Sequence, residues 1–302
     1  MADTKQGLVV RSTAGFIDVL IGDQVVQSRI RGRLKNAPRT TDICVIGDQV
    51  RVERPDDRTS VVVEVLPRRT RFSRRQPGRG PEREDVLVAN LDQLLVTFGY
   101  GRPPLKRRLL DRFLVIAEHQ GVEALIVMNK EDLQEPGDSD WQRVYESLGY
   151  QVLNVSATNG SGLAKLGATL AGKISAFVGP SGVGKSSLIN AIVPDLGLDT
   201  ASVSSHHGKG RHTTRVATLH ALPGSGFLAD TPGIRELGTW ELPLDDLDRC
   251  FPDFAPHRDG CAFRRCSHTH EPQCSVLDAL RAGEIDPERY ESYVRLRDEA
   301  GT

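Results

Sequence analysis

The chain has 302 residues and a formal net charge of -1, with 38% hydrophobic and 26% charged residues. No apolar run approaches the roughly 18 residues that would cross a membrane, and the first residues lack the apolar core of a signal peptide. We therefore expect a cytoplasmic protein of two or three domains that has no membrane partner.

The first 67 residues are typical of a small β-barrel. Short runs rich in β-branched residues are separated by turn residues such as Gly22-Asp23 and Gly47-Asp48. The runs are Leu8–Val10, Phe16–Leu20, Val25–Ile30, Asp48–Val52 and Val61–Leu66. Five strands in so short a segment predict a closed barrel, either OB-like or SH3-like.

Basic residues also follow the third run of the barrel. An OB barrel can use such a face on nucleic acid, although a purely structural barrel fits this stretch nearly as well. The residues are Arg29, Arg31, Arg33, Lys35 and Arg39.

Residues 68–83 are strongly basic. Seven arginines stand against one acid, Glu82, with prolines and glycines between them. Such a composition cannot build a core, so we expect a mobile, extended linker. Its charge suits a polyphosphate such as RNA, and the alternative is a solvated linker that binds nothing.

Strand and helix patterns alternate over the next part of the chain. The predicted strands are 93–98, 124–128, 151–155, 174–178 and 226–229, and the predicted helices are 105–119, 141–148, 163–171 and 187–192. This alternation predicts a mainly parallel sheet covered by helices, with ligands beyond the carboxyl ends of the strands.

The second of these strands leads into a segment that can read guanine. It is Asn129-Lys130-Glu131-Asp132. Asp132 can accept from both N1–H and the exocyclic amine of guanine, a pair that adenine does not offer, while the Lys130 stem packs on the base. After the third strand, Ser156-Ala157 adds a backbone N–H for the guanine O6. Alone, an N-K-x-D segment more often caps a helix.

A phosphate-binding loop follows the fourth strand. Gly179 to Ser186 fits the pattern G-x-x-x-x-G-K-[ST] between a strand and a helix, as that motif requires. Lys185 is expected to reach the β- and γ-phosphates and the Ser186 hydroxyl to ligate Mg²⁺. The nucleotide-binding residues predicted here are Gly179, Pro180, Ser181, Gly182, Val183, Gly184, Lys185, Ser186 and Ser187.

Two further segments complete a GTPase set. Lys209 to Arg215 is a polar, glycine-bearing segment in which Thr213 or Thr214 can supply a second hydroxyl to Mg²⁺. Asp230-Thr-Pro-Gly233 is a D-x-x-G segment after a predicted strand. Its aspartate is expected to hold Mg²⁺ through a water and its glycine N–H to sense the γ-phosphate.

The order of these motifs differs from that of an ordinary Ras-like GTPase. The base-reading segments precede the phosphate loop, whereas in Ras-like proteins they come last. A circular permutation explains the order: the helix over 163–171 joins the old ends, and the chain is cut after D-x-x-G. Nucleotide state can then act directly on the C-terminal segment.

The C-terminal segment holds a cluster of metal-ligating residues. Cys261, Cys266, His268 and Cys274 lie within fourteen residues, which in a cytoplasmic protein indicates a structural Cys₃His zinc site and not disulfides. Four protein ligands leave no open coordination position. His270 is the rival to His268, and the alternative to a metal site is a loop of reduced cysteines. Helices are predicted at 275–281 and 287–297.

The motifs at 129–132, 179–186, 210–214 and 230–233, with the C-x₄-C-x-H-x₅-C spacing, resemble the circularly permuted, ribosome-associated GTPases of the RsgA (YjeQ/YloQ) type. The resemblance implies a multidomain α/β and β fold: an OB-like β-barrel (1–67), an Arg-rich linker (68–83), a circularly permuted Ras-like P-loop GTPase domain (84–240) and a C-terminal zinc-binding helical domain (241–302). It also implies GTP or GDP, Mg²⁺ and one Zn²⁺ as cofactors. The implied function is late maturation of the small ribosomal subunit, with rRNA contact and subunit-stimulated hydrolysis by a monomer.

One catalytic group is missing from the sequence pattern. Ile234 follows Gly233 where a Ras-like protein carries the glutamine that orients water. We therefore expect slow intrinsic hydrolysis and name His212 as the candidate for positioning water, against a loop histidine without that role. The catalytic set is then Lys185, His212, Thr213, Thr214, Asp230 and Gly233.

Two other functions are compatible with parts of the sequence. The first is an RNA-binding assembly module in which nucleotide regulates docking and hydrolysis is incidental. Ile234 favours this module, whereas the complete phosphate, magnesium and guanine set favours an enzyme. The second is an ATPase with an attached zinc module, which Asp132 disfavours.

Overall fold

We describe the fold from a computed structural model of the chain. The structure describes residues 4–13, 16–32, 42–53, 60–75, 84–197, 216–235, 237 and 244–300. Within these ranges, every helix is too short or too polar to span a bilayer.

The N-terminal part is a closed five-stranded barrel, as predicted. Its strands are β1 (Thr4–Thr13), β2 (Phe16–Ile21), β3 (Gln24–Ile30), β4 (Gln49–Glu53) and β5 (Ser60–Val65). The order is β1-β2-β3-β5-β4, and β4 pairs back onto β1, which closes the barrel. Alternating side chains fill the interior, among them Val9, Val19, Val50 and Val62, each fully buried.

The prediction of an extended linker is wrong for residues 68–75. Strand β6 (Arg71–Arg75) pairs antiparallel with β7 (Glu84–Ala89), and Phe72 is fully buried. Arg68 donates to Asp48 of the barrel at 2.7 Å. The composition of the segment did not predict this structure, because the acidic residues that pair with its arginines are distant in sequence. Residues 76–83 lie outside the described ranges.

The central sheet is mainly parallel, as predicted. Its strands are β8 (Gln93–Gly99), β9 (Glu123–Asn129), β10 (Gln151–Asn154), β11 (Ile174–Val178), β12 (Ala217–Ala221) and β13 (Phe227–Asp230). The order is β10-β9-β8-β11-β13-β12, and the last strand alone runs antiparallel to its neighbour. The helices are α1 (Arg107–Gln120), α2 (Gln142–Ser147), α3 (Leu163–Leu170), α4 (Lys185–Ile192) and α5 (Pro232–Arg235).

The barrel and the central sheet are joined edge to edge. Strand β1 pairs antiparallel with β12, with Arg11 opposite Thr218. On its other side, Thr218 lies opposite Asp230 of β13. The barrel is therefore one strand away from the D-x-x-G segment.

The C-terminal part is built from 3₁₀ helices at Leu244–Cys250, Pro252–Phe254 and Arg258–Gly260, followed by α6 (Ser275–Ala282) and α7 (Pro287–Ala300). Phe251, Phe254 and Tyr293 form its aromatic core, with the two phenylalanine rings stacked at 5.3 Å. This core includes Val115 of α1, so the C-terminal part packs on a helix of the central sheet.

Candidate functional site

The glycine loop lies between β11 and α4, at the carboxyl end of the sheet. Gly179, Gly182 and Gly184 have φ angles of 139°, 83° and 88°, which favour glycine. A Cβ on Gly179 would lie 2.0 Å from the Thr97 carbonyl oxygen. The loop thus turns sharply against β8 and leads directly into the N-terminus of α4, the arrangement that favours anion binding.

Lys185 bends back over this loop. Its Nζ donates to the carbonyls of Gly179 and Pro180, each at 2.7 Å. Ser186 and Ser187 follow in the first turn of α4. The ammonium group therefore lies at the loop itself, where phosphate oxygens would replace the carbonyls as its partners.

Asn129 connects the predicted base-reading segments to the glycine loop. Its Nδ2 donates to the Val183 carbonyl at 2.9 Å, and its Oδ1 accepts from the Ala157 N–H at 3.2 Å. The side chain is only 2% exposed. A Cβ on Gly184 would lie 2.4 Å from Nδ2, so the loop glycine is required by this contact. Residues distant in sequence therefore meet at one place.

Lys130 also spans two loops. Its backbone is left-handed, with φ 60°, and its Nζ donates to the carbonyls of Arg102 at 2.7 Å and Gly182 at 2.9 Å. The Lys130 side chain thus joins the loop after β8 to the glycine loop. The contribution of the loop after β8 was not predictable from the sequence, because it comes from a backbone carbonyl, which every residue has.

Asp132 is exposed, and one of its oxygens is already oriented. The Ser156 hydroxyl donates to Asp132 Oδ1 at 2.5 Å and accepts from the Thr158 and Asn159 N–H groups, each at 3.2 Å. The neighbouring Glu131 accepts from the Ser161 hydroxyl at 2.5 Å. Ser156-Ala157 was predicted to contribute only a backbone N–H, whereas in the structure the Ser156 hydroxyl orients the Asp132 carboxylate.

The D-x-x-G segment lies at the end of β13, beside β7. Asp230 is the last residue of β13, and a Cβ on Gly233 would lie 2.6 Å from Leu87 Cδ1. Ile234 is 3% exposed and belongs to the main core. His212, Thr213 and Thr214 lie outside the described residues.

The cysteine and histidine ligand set forms a compact cluster that could hold a metal ion. The ligand atoms of Cys261, Cys266, His268 and Cys274 all lie within 4.8 Å of one another. Cys261 Sγ lies 3.8 Å from Cys274 Sγ, and His268 Nδ1 lies 3.5 and 3.4 Å from these two sulfurs. Zn–S bonds of about 2.3 Å and Zn–N bonds of about 2.0 Å in a tetrahedron give edges of roughly 3.8 and 3.5 Å. The donor set therefore fits a tetrahedral ion.

A second set of contacts orients His268. Its Nε2 lies 3.7 Å from Asp248 Oδ2. Burial opposes the charged imidazole, but Asp248 and the Cys261 sulfur raise the pKa of His268 above its ordinary value. Tyr290 donates to the His268 carbonyl at 2.8 Å. His270, the rival ligand, is exposed and lies outside the cluster.

Glu271 organises the turn between the last two ligands. It accepts from the N–H groups of Ser267, Thr269 and His270. Partial burial acts against its charge, but these hydrogen bonds lower the pKa of Glu271 well below its usual range. The turn is therefore held in shape by an ionised carboxylate.

Family models match most of the chain. The model described as RsgA GTPase matches residues 65–240, and the model described as RsgA N-terminal domain matches residues 6–62. The small ribosomal subunit biogenesis GTPase RsgA of Gemmatimonas aurantiaca is 45% identical, over 99% of this chain and 98% of that protein. The protein of the same name from Chlorobaculum tepidum is 39% identical, over 99% of both chains.

Two solved structures share the whole architecture. YjeQ from Thermotoga maritima matches with a TM-score of 0.80 and 32% identity, over 99% of each chain. YloQ, a circularly permuted GTPase, matches with a TM-score of 0.77 and 30% identity, over 99% of this chain and 96% of that one. Together with the strand order and the assembled motifs, these matches show that the chain belongs to the RsgA family of circularly permuted GTPases.

Proposed function

We propose that this chain is a GTPase that acts in late maturation of the small ribosomal subunit, which stimulates its hydrolysis of GTP. The names of the relatives support the subunit as partner. The observation that carries the nucleotide assignment is the position of Asn129, which hydrogen-bonds to the glycine loop and to Ala157 at once. Phosphate-binding and base-binding residues thereby form one site.

The glycine loop would hold the phosphates, and residues 129–132 at the end of β9 would hold the base. Residues 179–187 supply amides, the Lys185 ammonium and the Ser186 hydroxyl, and Mg²⁺ prefers such oxygen ligands. Ser186 and Thr214 would ligate the ion, with Asp230 acting through a water. When bound, Mg²⁺ neutralises charge on the phosphate oxygens. The base contacts would come from Asn129, Lys130, Glu131, Asp132, Ser156 and Ala157.

Water positioning falls to a group other than the residue after D-x-x-G. Ile234 is apolar and buried in the main core, so it can neither donate to water nor accept from it. We assign the role to His212, with Thr213 and Thr214 beside it and Gly233 sensing the γ-phosphate. The His212→Ala variant should retain GDP affinity and lose subunit-stimulated turnover. Unchanged stimulated turnover would contradict the assignment.

The cysteine cluster would bind one structural Zn²⁺ ion. Three thiolates and one imidazole fill a tetrahedron, so no position remains for substrate. The distances among Cys261, His268 and Cys274 support this donor set. The ion would fix the fold of the C-terminal part and would take no part in hydrolysis.

We place rRNA contacts on the barrel, the arginine-rich segment and the C-terminal part of a cytoplasmic monomer. Of the five basic residues around the end of the third strand, the structure describes Arg29 and Arg31, and their charges are consistent with such a surface. The second candidate function, a nucleotide-gated RNA-binding module with incidental hydrolysis, is favoured by the apolar Ile234.

Binding to purified ribosomal subunits tests whether the small subunit is a specific partner whose binding depends on the nucleotide. We expect tight binding to small subunits with a non-hydrolysable GTP analogue, weaker binding with GDP and none to large subunits. The Lys185→Ala variant should bind alike in both conditions, because its phosphate contact is lost. Equal affinity of the wild type for both subunits would refute the proposed partner.

A further inference from the structure

The loop between the first two cysteine ligands presents an aromatic ring to solvent. Phe263 is 50% exposed, and its neighbours Ala262, Arg264 and Arg265 are exposed as well. Most other phenylalanines of the described chain are buried. Burial of an aromatic ring is favourable, so the exposure of Phe263 leaves a large apolar surface for a partner.

The ring of Phe263 makes no aromatic or cation contact with any residue that the structure describes. Phe16, the other exposed phenylalanine, differs because the Arg29 guanidinium lies 5.1 Å from its ring centroid. Phe263 therefore remains available for stacking.

The two arginines beside Phe263 are also unpaired within the described residues. The other arginines of residues 244–300 each have an acidic or aromatic partner. They are Arg249, Arg258, Arg281, Arg289, Arg295 and Arg297. Arg264 and Arg265 thus leave two positive charges beside an exposed ring, with no acid between Cys261 and Cys266.

The ends of this loop are fixed. Cys261 and Cys266 belong to the metal-binding cluster, and the Ala262 N–H donates to the Gln273 carbonyl at 3.2 Å. A loop fixed at both ends loses less conformational entropy when it binds. The ring and the charges are therefore presented by a short, anchored segment.

We propose that Phe263 stacks on an unpaired RNA base while Arg264 and Arg265 neutralise neighbouring phosphates. An aromatic ring beside cations is the chemistry that single-stranded nucleic acid requires. An apolar pocket on a protein would accept the ring but would need acids for both arginines. The inference deepens the proposed function in one respect, because it takes the RNA to be that of the small subunit.

The test measures binding of the full, zinc-loaded protein to a fluorescently labelled single-stranded oligoribonucleotide by anisotropy. Phe263→Leu keeps an apolar side chain but cannot stack, and we expect affinity to fall about 5- to 150-fold. Phe263→Tyr should bind like the wild type. The double variant Arg264→Gln/Arg265→Gln should lower the slope of log affinity against log salt by about 1.4.

Arg281→Gln is the matched control, because Arg281 is exposed in the same part of the chain but paired with Asp278 at 2.6 Å. Its affinity and salt slope should not change. Zinc content measured for every variant checks that the loop is intact. Wild-type affinity of Phe263→Leu for RNA would overturn the proposal.

Loss of subunit binding by Phe263→Leu, with RNA affinity unchanged, would instead assign the ring to a protein pocket and also overturn the proposal. The proposed function fails separately. If the oligonucleotide results are as expected but small subunits do not stimulate turnover, the RNA contact stands and the ribosomal role is wrong.

Discussion

Arg289 of α7 donates from Nη1 to Asp111 Oδ1 of α1 at 2.6 Å. Its Nη2 donates to Asp253 at 2.7 Å, and Tyr145 donates to the same Asp111 oxygen at 2.8 Å. The side chains of Arg289, Asp111 and Asp253 are at most 5% exposed. One buried cation thus joins the C-terminal part to the helix that covers β8 and β9.

Arg289→Met should lower the free energy of unfolding by about 3–5 kcal/mol, because two buried carboxylates lose their cation. Urea unfolding measures the change. Arg295→Met is the control: Arg295 lies on the same helix but is 58% exposed and paired with Glu291, so we expect a loss below about 1 kcal/mol. Similar small losses for both variants would contradict the role of the buried contact.

Gly179→Ala should abolish nucleotide binding. The new Cβ would lie 2.0 Å from a backbone carbonyl, so the loop or β8 must move. Gly149→Ala is the control, since Gly149 also has positive φ, 92°, but open space around its Cβ. The control should cost roughly 1–2 kcal/mol of stability and leave the affinity for fluorescent GDP unchanged. Equal affinities for the two variants would show that the loop geometry is not needed.

Asp132→Asn should weaken GTP binding on the order of 10²- to 10⁴-fold, because two hydrogen bonds to a charged acceptor are lost. Affinity for xanthosine triphosphate should rise, because xanthine carries a carbonyl at C2 that accepts from the new amide. Glu135→Gln, a nearby exposed carboxylate, should change neither affinity. Unaltered preference for guanine in Asp132→Asn would mean that another group reads the base.

Asp248→Asn should lower zinc affinity by roughly 10- to 100-fold, because the carboxylate that faces His268 Nε2 loses its charge. Competition with a coloured chelator measures this. Asp278→Asn, an exposed carboxylate in α6 paired with Arg281, is the control and should retain wild-type affinity. A wild-type zinc affinity of Asp248→Asn would show that the His268 ring does not need a charged partner at Nε2.

Much of the site was predictable because its motifs are short and local. The glycine loop, the Asn129 segment and the D-x-x-G segment each lie at the carboxyl end of a strand. Parallel strands bring these ends to the same edge of the sheet. The five barrel strands were predictable for the same reason, since each has its own β-branched run. The prediction of a Cys/His cluster rested on spacing alone, and the structure brings the four residues together.

The remaining features depend on contacts between distant residues. The Arg68 side chain is largely buried and pairs with Asp48, which lies 20 residues earlier. Because the composition of residues 68–83 does not contain this acid, the segment was predicted to be a linker. The Arg289–Asp111 contact spans 178 residues. Strand β12 was missed because its five residues include polar Thr218 and His220, and its place is set by β1 and β13. No local pattern encodes such partners.

The most direct test of the central claim is GTP turnover by the purified protein, alone and with small ribosomal subunits. Large subunits and the Lys185→Ala variant are the controls. We predict slow turnover alone, strong stimulation by small subunits only, and none in the variant. Absence of stimulation under conditions where the protein still binds the small subunit would contradict a subunit-activated GTPase and leave a nucleotide-gated binding protein.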